Sequence, residues 1–202
     1  MTRVVSGLLF LCFAGTLVAS AQQTKAARIR FIFENPKLQP AGYVIDINEE
    51  GAGHFRSQPG SASSSDPETI APQSIDTDIR IEEPLRSDLF KTARSHNYFN
   101  VACESTKSKV AFTGKKALQY SGPDGDGSCT FNWSHDQQLM KVVDDLIAVA
   151  FTIEEGRRLT VEHEHDRLSL DAELEAIAAD EKVMERARLR ARQLLAGRGK
   201  TA

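Results

Sequence analysis

Charge and hydrophobe alternate along Arg28-Ile29-Arg30-Phe31-Ile32-Phe33, and Asn35-Pro36 then stops the run. That period of two predicts a strand. Gly42-Tyr43-Val44-Ile45-Asp46-Ile47 predicts a second strand, Asn48-Glu49-Glu50-Gly51 supplies turn chemistry, and Gly53-His54-Phe55-Arg56 follows, so the pair reads as a hairpin. From Ser57 to Ser74 the composition shifts to Ser, Pro, Gly and Ala, too small and polar to bury a face, and predicts a flexible loop over 57–74. Ile75, Thr77, Ile79 and Ile81 then share one side of an extended chain, which returns it to the sheet.

Past Pro84 the spacing changes to three and four: Leu85, Leu89, Phe90 and Ala93 predict a short helix ending near Asn97. Between Phe99 and Trp133, Lys109-Val110-Ala111-Phe112 and Ala117-Leu118-Gln119-Tyr120 flank Thr113-Gly114-Lys115-Lys116. Ser121 to Ser128 then turns the chain into Cys129-Thr130-Phe131-Asn132-Trp133. Three short antiparallel strands fit this pattern. From Ser134 or His135 a helix is predicted by the stripe Leu139, Val142, Val143, Leu146, Ile147, Ala150 and Ile153, with Gly156 as its first break. The stripe resumes through Leu168, Leu170, Leu174, Ile177, Met184, Ala187, Ala191 and Leu195 among good helix formers. The expected fold class is therefore α+β: an antiparallel β-sheet over 25–153 packed by one or two helices, with a long helical C-terminal extension over 157–197.

The first residues bear on location. Arg3, the apolar run Gly7 to Val18 and Ala19-Ser20-Ala21 have the order of a cleavable signal peptide over 1–21, with the mature chain beginning near Gln22. The apolar run, about 12 residues, is short of the roughly 20 that cross a bilayer. No transmembrane segment is expected in the mature chain, and the expected location is periplasmic or secreted. Export lets Cys103 and Cys129 pair, since an oxidising compartment keeps disulfides closed. Two free thiols or an intermolecular link are the alternatives, and the spacing argues against a redox-active C-x-x-C pair. A balance of 25 Lys+Arg against 28 Asp+Glu with 7% aromatics gives no field for nucleic acid, and 41% hydrophobic residues suffice for a core.

Candidate chemistry is sparse. Asp124-Gly125-Asp126-Gly127-Ser128 resembles the opening of a calcium loop, but His135 stands eleven positions after Asp124, where such a loop wants Glu, so a plain turn is expected. Glu162-His163-Glu164-His165-Asp166 holds five groups able to ligate or titrate, yet on a helix His163 and His165 point about 200° apart, which favours a solvated polar face. No G-x-S-x-G or H-E-x-x-H motif occurs, Thr113-Gly114-Lys115-Lys116 lacks the earlier glycine of a phosphate loop, and Asp144-Asp145 and Glu154-Glu155 diverge on their helix. No catalytic, metal or cofactor-binding set is indicated, and no cofactor is expected. Arg186, Arg188, Arg190, Arg192, Arg198 and Lys200 make the C-terminus basic, which suits a solvated helix end or contact with an anionic partner. Asn132-Trp133-Ser134 satisfies the N-x-S acceptor pattern, where no sugar is expected.

The phrases Tyr98-Phe99-Asn100 through Cys129-Thr130-Phe131-Asn132-Trp133, Gly156-Arg157-Arg158-Leu159 and Asp166-Arg167-Leu168-Ser169-Leu170-Asp171-Ala172-Glu173-Leu174 carry a resemblance to a group of exported soil-bacterial proteins with no assigned activity. The resemblance implies a bacterial envelope setting and brings no activity, cofactor or catalytic residue with it. The functional expectation is a non-enzymatic binding or structural interaction module. An envelope protein or a second copy would engage its C-terminal helix, because the Leu174, Ile177 and Met184 stripe needs cover. The alternative is a secreted hydrolase or metal-dependent enzyme whose site is assembled from scattered residues.

Overall fold

The computed structural model describes residues 26–60, 73–106, 110–165, 170–180, 188–189 and 191–192. Six strands, β1 (Arg28–Glu34), β2 (Gly42–Asn48), β3 (Ala52–Gln58), β4 (Asp76–Arg80), β5 (Lys115–Gly122) and β6 (Gly125–Phe131), form one sheet in the order β4-β3-β2-β1-β5-β6. Every neighbouring pair is antiparallel. Among the described residues three α-helices, α1 (Leu85–Ser95), α2 (Gln137–His165) and α3 (Leu170–Ala179), join the sheet in an α+β architecture. No helix among the described residues is long and apolar enough to cross a membrane.

The period-two pattern decides which face is which. Ile29, Phe31 and Phe33 of β1 are buried on one side, where the register sets Phe31 opposite both Ile45 and Leu118. Leu89, Phe90 and Ala93 of α1 and Leu139, Val142, Val143, Leu146, Val149 and Ala150 of α2 close that side into a single core. Each buried Val, Leu, Ile or Phe side chain among them contributes roughly 1.5–3 kcal/mol relative to exposure. The opposite face carries Arg28 and Arg30 of β1, and no helix among the described residues covers it.

Between α1 and β5 the chain makes a left-handed turn, with Asn97, Tyr98 and Phe99 at φ of 49°, 59° and 66°. Each such non-glycine residue costs about 1–2 kcal/mol. The turn is held because Phe99 is fully buried and the Tyr98 ring packs on Tyr120 with centroids 5.1 Å apart and planes tilted by 35°. It also needs room on β6: a Cβ on Gly127 would stand 2.6 Å from the Tyr98 carbonyl oxygen and 2.9 Å from the Asn100 nitrogen, and one on Gly125 would enter the Tyr98 ring. A few residues on, Cys103 and Cys129 are disulfide-bonded with Cα atoms 5.9 Å apart. The bridge fastens the incoming segment to β6, and just past the end of that strand Ser105 N donates to Trp133 O at 2.9 Å.

Four expectations change. The strand expected at Lys109–Phe112 does not form: Lys109 lies outside the described residues, and Val110 to Thr113 is irregular. The Asn132 side chain takes the backbone groups a ladder would use, accepting from Thr113 N at 2.8 Å and donating to Ala111 O at 3.0 Å. The flexible loop expected over 57–74 starts too early, because Ser57 and Gln58 belong to β3 and Ser57 is only 3% exposed. Ser57 continues the core-facing alternation after Gly53 and Phe55, and it exchanges hydrogen bonds with Ile75. Residues 61–72 lie outside the described residues.

Gly156 does not break the helix, since α2 runs through it to His165. Glycine costs about 1 kcal/mol there relative to alanine. Phe151 and Leu159, on either side of it, pack against Leu170, Leu174, Ile177 and Ala178, and Arg158 pairs with Glu173 of α3. That contact also covers the α3 stripe from within the chain. Of the extension expected over 157–197, residues 157–165 belong to α2 and α3 takes Leu170–Ala179; most of the remainder, Met184 included, lies outside the described residues, as does the signal peptide expected over 1–21.

Candidate functional site

With helices on one side, the open face of the sheet presents every second residue in cross-strand rows. One row reads Asp78, His54, Asp46, Arg30, Gln119 and Ser128, each in direct register with the next. At its β4 end both ring nitrogens of His54 face carboxylates, Nδ1 at 2.8 Å from Asp78 and Nε2 at 2.6 Å from Asp76. These hydrogen bonds, Asp78 first and Asp76 second, raise the imidazole pKa above its ordinary value. In the middle, Asp46 pairs with Arg30 at 3.5 Å and with Arg56 at 4.0 Å.

The second row runs through Asn48, Arg28, Ser121 and Asp126. Ser121, Ser128 and Gln119 are shorter than the arginines beside them, so the face sinks between β1 and β6 into a groove of about 450 Å³. Arg28 and Arg30 wall one side of it and Asp126 the other. A smaller hollow of about 190 Å³ adjoins it, sharing Arg28 and reaching His54. Neither Arg28 nor Asp126 makes an ion pair among the described residues. The charged, amide and hydroxyl residues of the groove occupy alternate strand positions, a signal present in the sequence but one that identifies a solvent face and not a site.

The charges on the helical side are used to join elements. Arg94 of α1 reaches Glu49 after β2 and Asp124 after β5, both at 2.7 Å, and the Tyr120 hydroxyl donates to Asp124 at 2.6 Å. The Arg94 bond, followed by the Tyr120 bond, holds the Asp124 carboxyl below its ordinary range, while burial above all pushes Tyr120 up to about 12. The calcium-like segment is thus a two-residue hairpin turn, Gly122 pairing with Gly125. Asp124 serves the Arg94 brace and Asp126 stands on the open face. Among the described residues, no three His, Cys, Asp or Glu side chains are placed to hold a metal ion.

Ser95, His96 and Asp136 form a hydrogen-bonded chain that invites comparison with a catalytic triad: Ser95 Oγ lies 3.1 Å from His96 Nδ1, and His96 Nε2 lies 3.0 Å from Asp136 Oδ2. Its remaining bonds give it another role. His96 Nδ1 also lies 2.9 Å from Thr92 O in the last turn of α1, and the Ser95 hydroxyl donates to the same carbonyl oxygen at 3.0 Å. Asp136 Oδ1 accepts from the Gln138 and Leu139 N–H groups that open α2. Burial opposes the Asp136 charge, but the Leu139 amide, the His96 ring and the Gln138 amide outweigh it and lower its pKa. The chain clasps the end of one helix to the start of the next, with the Asp136 carboxylate at the N-terminus of α2, where the helix dipole favours an anion.

Lys116 is 3% exposed, and its ammonium donates to Asn132 O at 2.7 Å and to Thr113 Oγ1 and Gly114 O, each at 3.0 Å. Burial lowers its pKa, and Thr113-Gly114-Lys115-Lys116 is a pinned entry to β5. Asp145 pairs with Lys141 at 2.8 Å, while burial first, then Asp145, raise the pKa of Asp144. Of Glu162-His163-Glu164-His165-Asp166, the first four backbones belong to α2, while their side chains and Asp166 lie outside the described residues. Of the basic run, Arg192 donates to Ala178 O at 3.1 Å and Arg188 is partly buried; the other four lie outside the described residues. No protein-family model matches the chain, and no curated protein matches it at a significant level.

Proposed function

We propose that the chain is an exported, non-enzymatic binding module of the bacterial envelope that acts through the open face of its sheet. The observation that carries this reading is the groove between β1 and β6, where charged and hydroxyl side chains face solvent, while Arg94–Asp124 and His96–Asp136 on the helical side join strands and helices. The closed Cys103–Cys129 bridge supports export, because such bonds persist in oxidising compartments. The cover that α2 gives to Leu174 and Ile177 moves the expected contact surface from the C-terminal helix to the sheet.

Two measurements on the full chain in a Gram-negative host test the reading. Osmotic-shock fractionation with thiol trapping is expected to find the protein in the envelope fraction with Cys103 and Cys129 blocked; a cytosolic protein with two free thiols ends the export reading. A photo-crosslinking residue at Gln119, on the groove floor, is expected to capture envelope material that the same residue at Lys91, on α1, does not. Equal capture at both positions sinks the assignment to the open face.

A further inference from the structure

We propose that the groove between Arg28 and Asp126 binds a small zwitterion of about dipeptide span, its carboxylate on the Arg28 guanidinium and its ammonium on the Asp126 carboxylate. This rests on the reading of the groove as a binding site and assigns its ligand class.

Arg28 lies opposite Ser121 and Ser121 opposite Asp126, so the two charges face each other across one intervening strand. Strands are roughly 4.8 Å apart, which sets the Cα atoms of Arg28 and Asp126 about 10 Å from one another. The long, exposed Arg28 side chain meets a ligand anywhere along that span, and the groove, about 450 Å³, has room for an extended dipeptide, whose two charges stand roughly 6–7 Å apart.

Charge complementarity selects the class. Arg30 and Asp46, the other charged groups of the groove, neutralise one another at 3.5 Å, leaving Arg28 and Asp126 as the cation and anion of the groove without an ion pair among the described residues. A plain anion on Arg28 leaves Asp126 facing it uncompensated, and a plain cation on Asp126 does the same to Arg28. A zwitterion satisfies both. The floor between them, Ser121, Ser128 and the Gln119 amide, offers donors and acceptors to the one polar group such a ligand carries in its middle, a peptide unit.

The test is a two-dimensional amide NMR titration of the full chain with diglycine. In parallel arms the ligand is N-acetylglycine amide, which has the same peptide groups and no charges, or glucose, or glucuronate. Diglycine is expected to shift the Arg28, Ser121, Asp126 and Ser128 amides saturably, and Arg28→Gln or Asp126→Asn each to weaken it about fivefold, the upper end for an exposed ion pair. Both positions are solvent-exposed, so an unchanged spectrum outside the groove verifies folding. The charge-exchanged variant, Arg28→Asp with Asp126→Arg, is expected to recover binding. Equal shifts with the uncharged analogue, or failure of both single substitutions to weaken diglycine, overturn the zwitterion. Shifts at the same amides with a sugar but not with diglycine overturn the ligand class and leave the groove as a binding site. No shift with any of the four removes both.

Discussion

Replacing Cys103 and Cys129 together by serine removes the one covalent tie between the left-handed turn and the sheet. The bridged residues are 26 apart. In the chain-entropy relation a loop of that length restricts the unfolded chain by about 12 cal/mol/K, which is about 3.5 kcal/mol at 25 °C. With a urea slope of about 2 kcal/mol/M, the unfolding midpoint is expected to fall by roughly 1.7 M. The readout is local as well as global: Trp133, the single tryptophan, lies four residues beyond Cys129, and its carbonyl accepts from Ser105. Urea titrations of the oxidised wild type and the double variant, followed by far-UV circular dichroism and by Trp133 fluorescence, are expected to show coincident transitions displaced together. A midpoint shift below about 0.5 M refutes the reasoning, because the loop would then be closed in the unfolded chain by something other than the bridge. A fluorescence transition that precedes the dichroic one in the variant would instead place the stabilisation in the local contact of the 103–106 segment with β6.

Three further outcomes are expected. His54 has a raised folded-state pKa, so its bonds to Asp76 and Asp78 stabilise fully below the unfolded value of about 6.5 and fade as pH rises through the folded one; melting temperatures from pH 5.5 to 8.5 are expected to fall in the wild type, and less in His54→Asn. Asp136 has a lowered pKa, so its contribution is complete above about 3.9 and lost as pH falls through the folded value; Asp136→Ala is expected to cost about 1–2 kcal/mol at pH 7, and equal stability at that pH would count against the helix clasp. Gly127→Ala drives a Cβ into the Tyr98 carbonyl and is expected to destabilise by about 1–3 kcal/mol, whereas Gly156→Ala, with nothing within 4 Å, is expected to stabilise by up to about 1 kcal/mol; chemical denaturation of both variants checks the contrast.

What the sequence determined alone was local. Period-two alternation in Arg28–Phe33 and Gly42–Ile47, and the stripe from Leu139 to Ile153, fix which residues face the core before any partner is known, because side-chain direction follows from backbone geometry within the element. The Cys103–Cys129 pairing was legible for a different reason: once a signal peptide is read at the N-terminus, only two cysteines remain outside it. The tertiary structure decided everything that rests on residues distant in the chain. Gly156 stays helical because Phe151 and Leu159 meet α3, and Val110 to Thr113 is no strand because Asn132 takes its backbone. Gly125 and Gly127 resemble part of a calcium loop until Tyr98 is seen packed against them. The groove follows the same logic. Arg28, Ser121 and Asp126 belong to three strands, and only the register of β1, β5 and β6 lines them up and leaves the two charges without an ion-pair partner among the described residues.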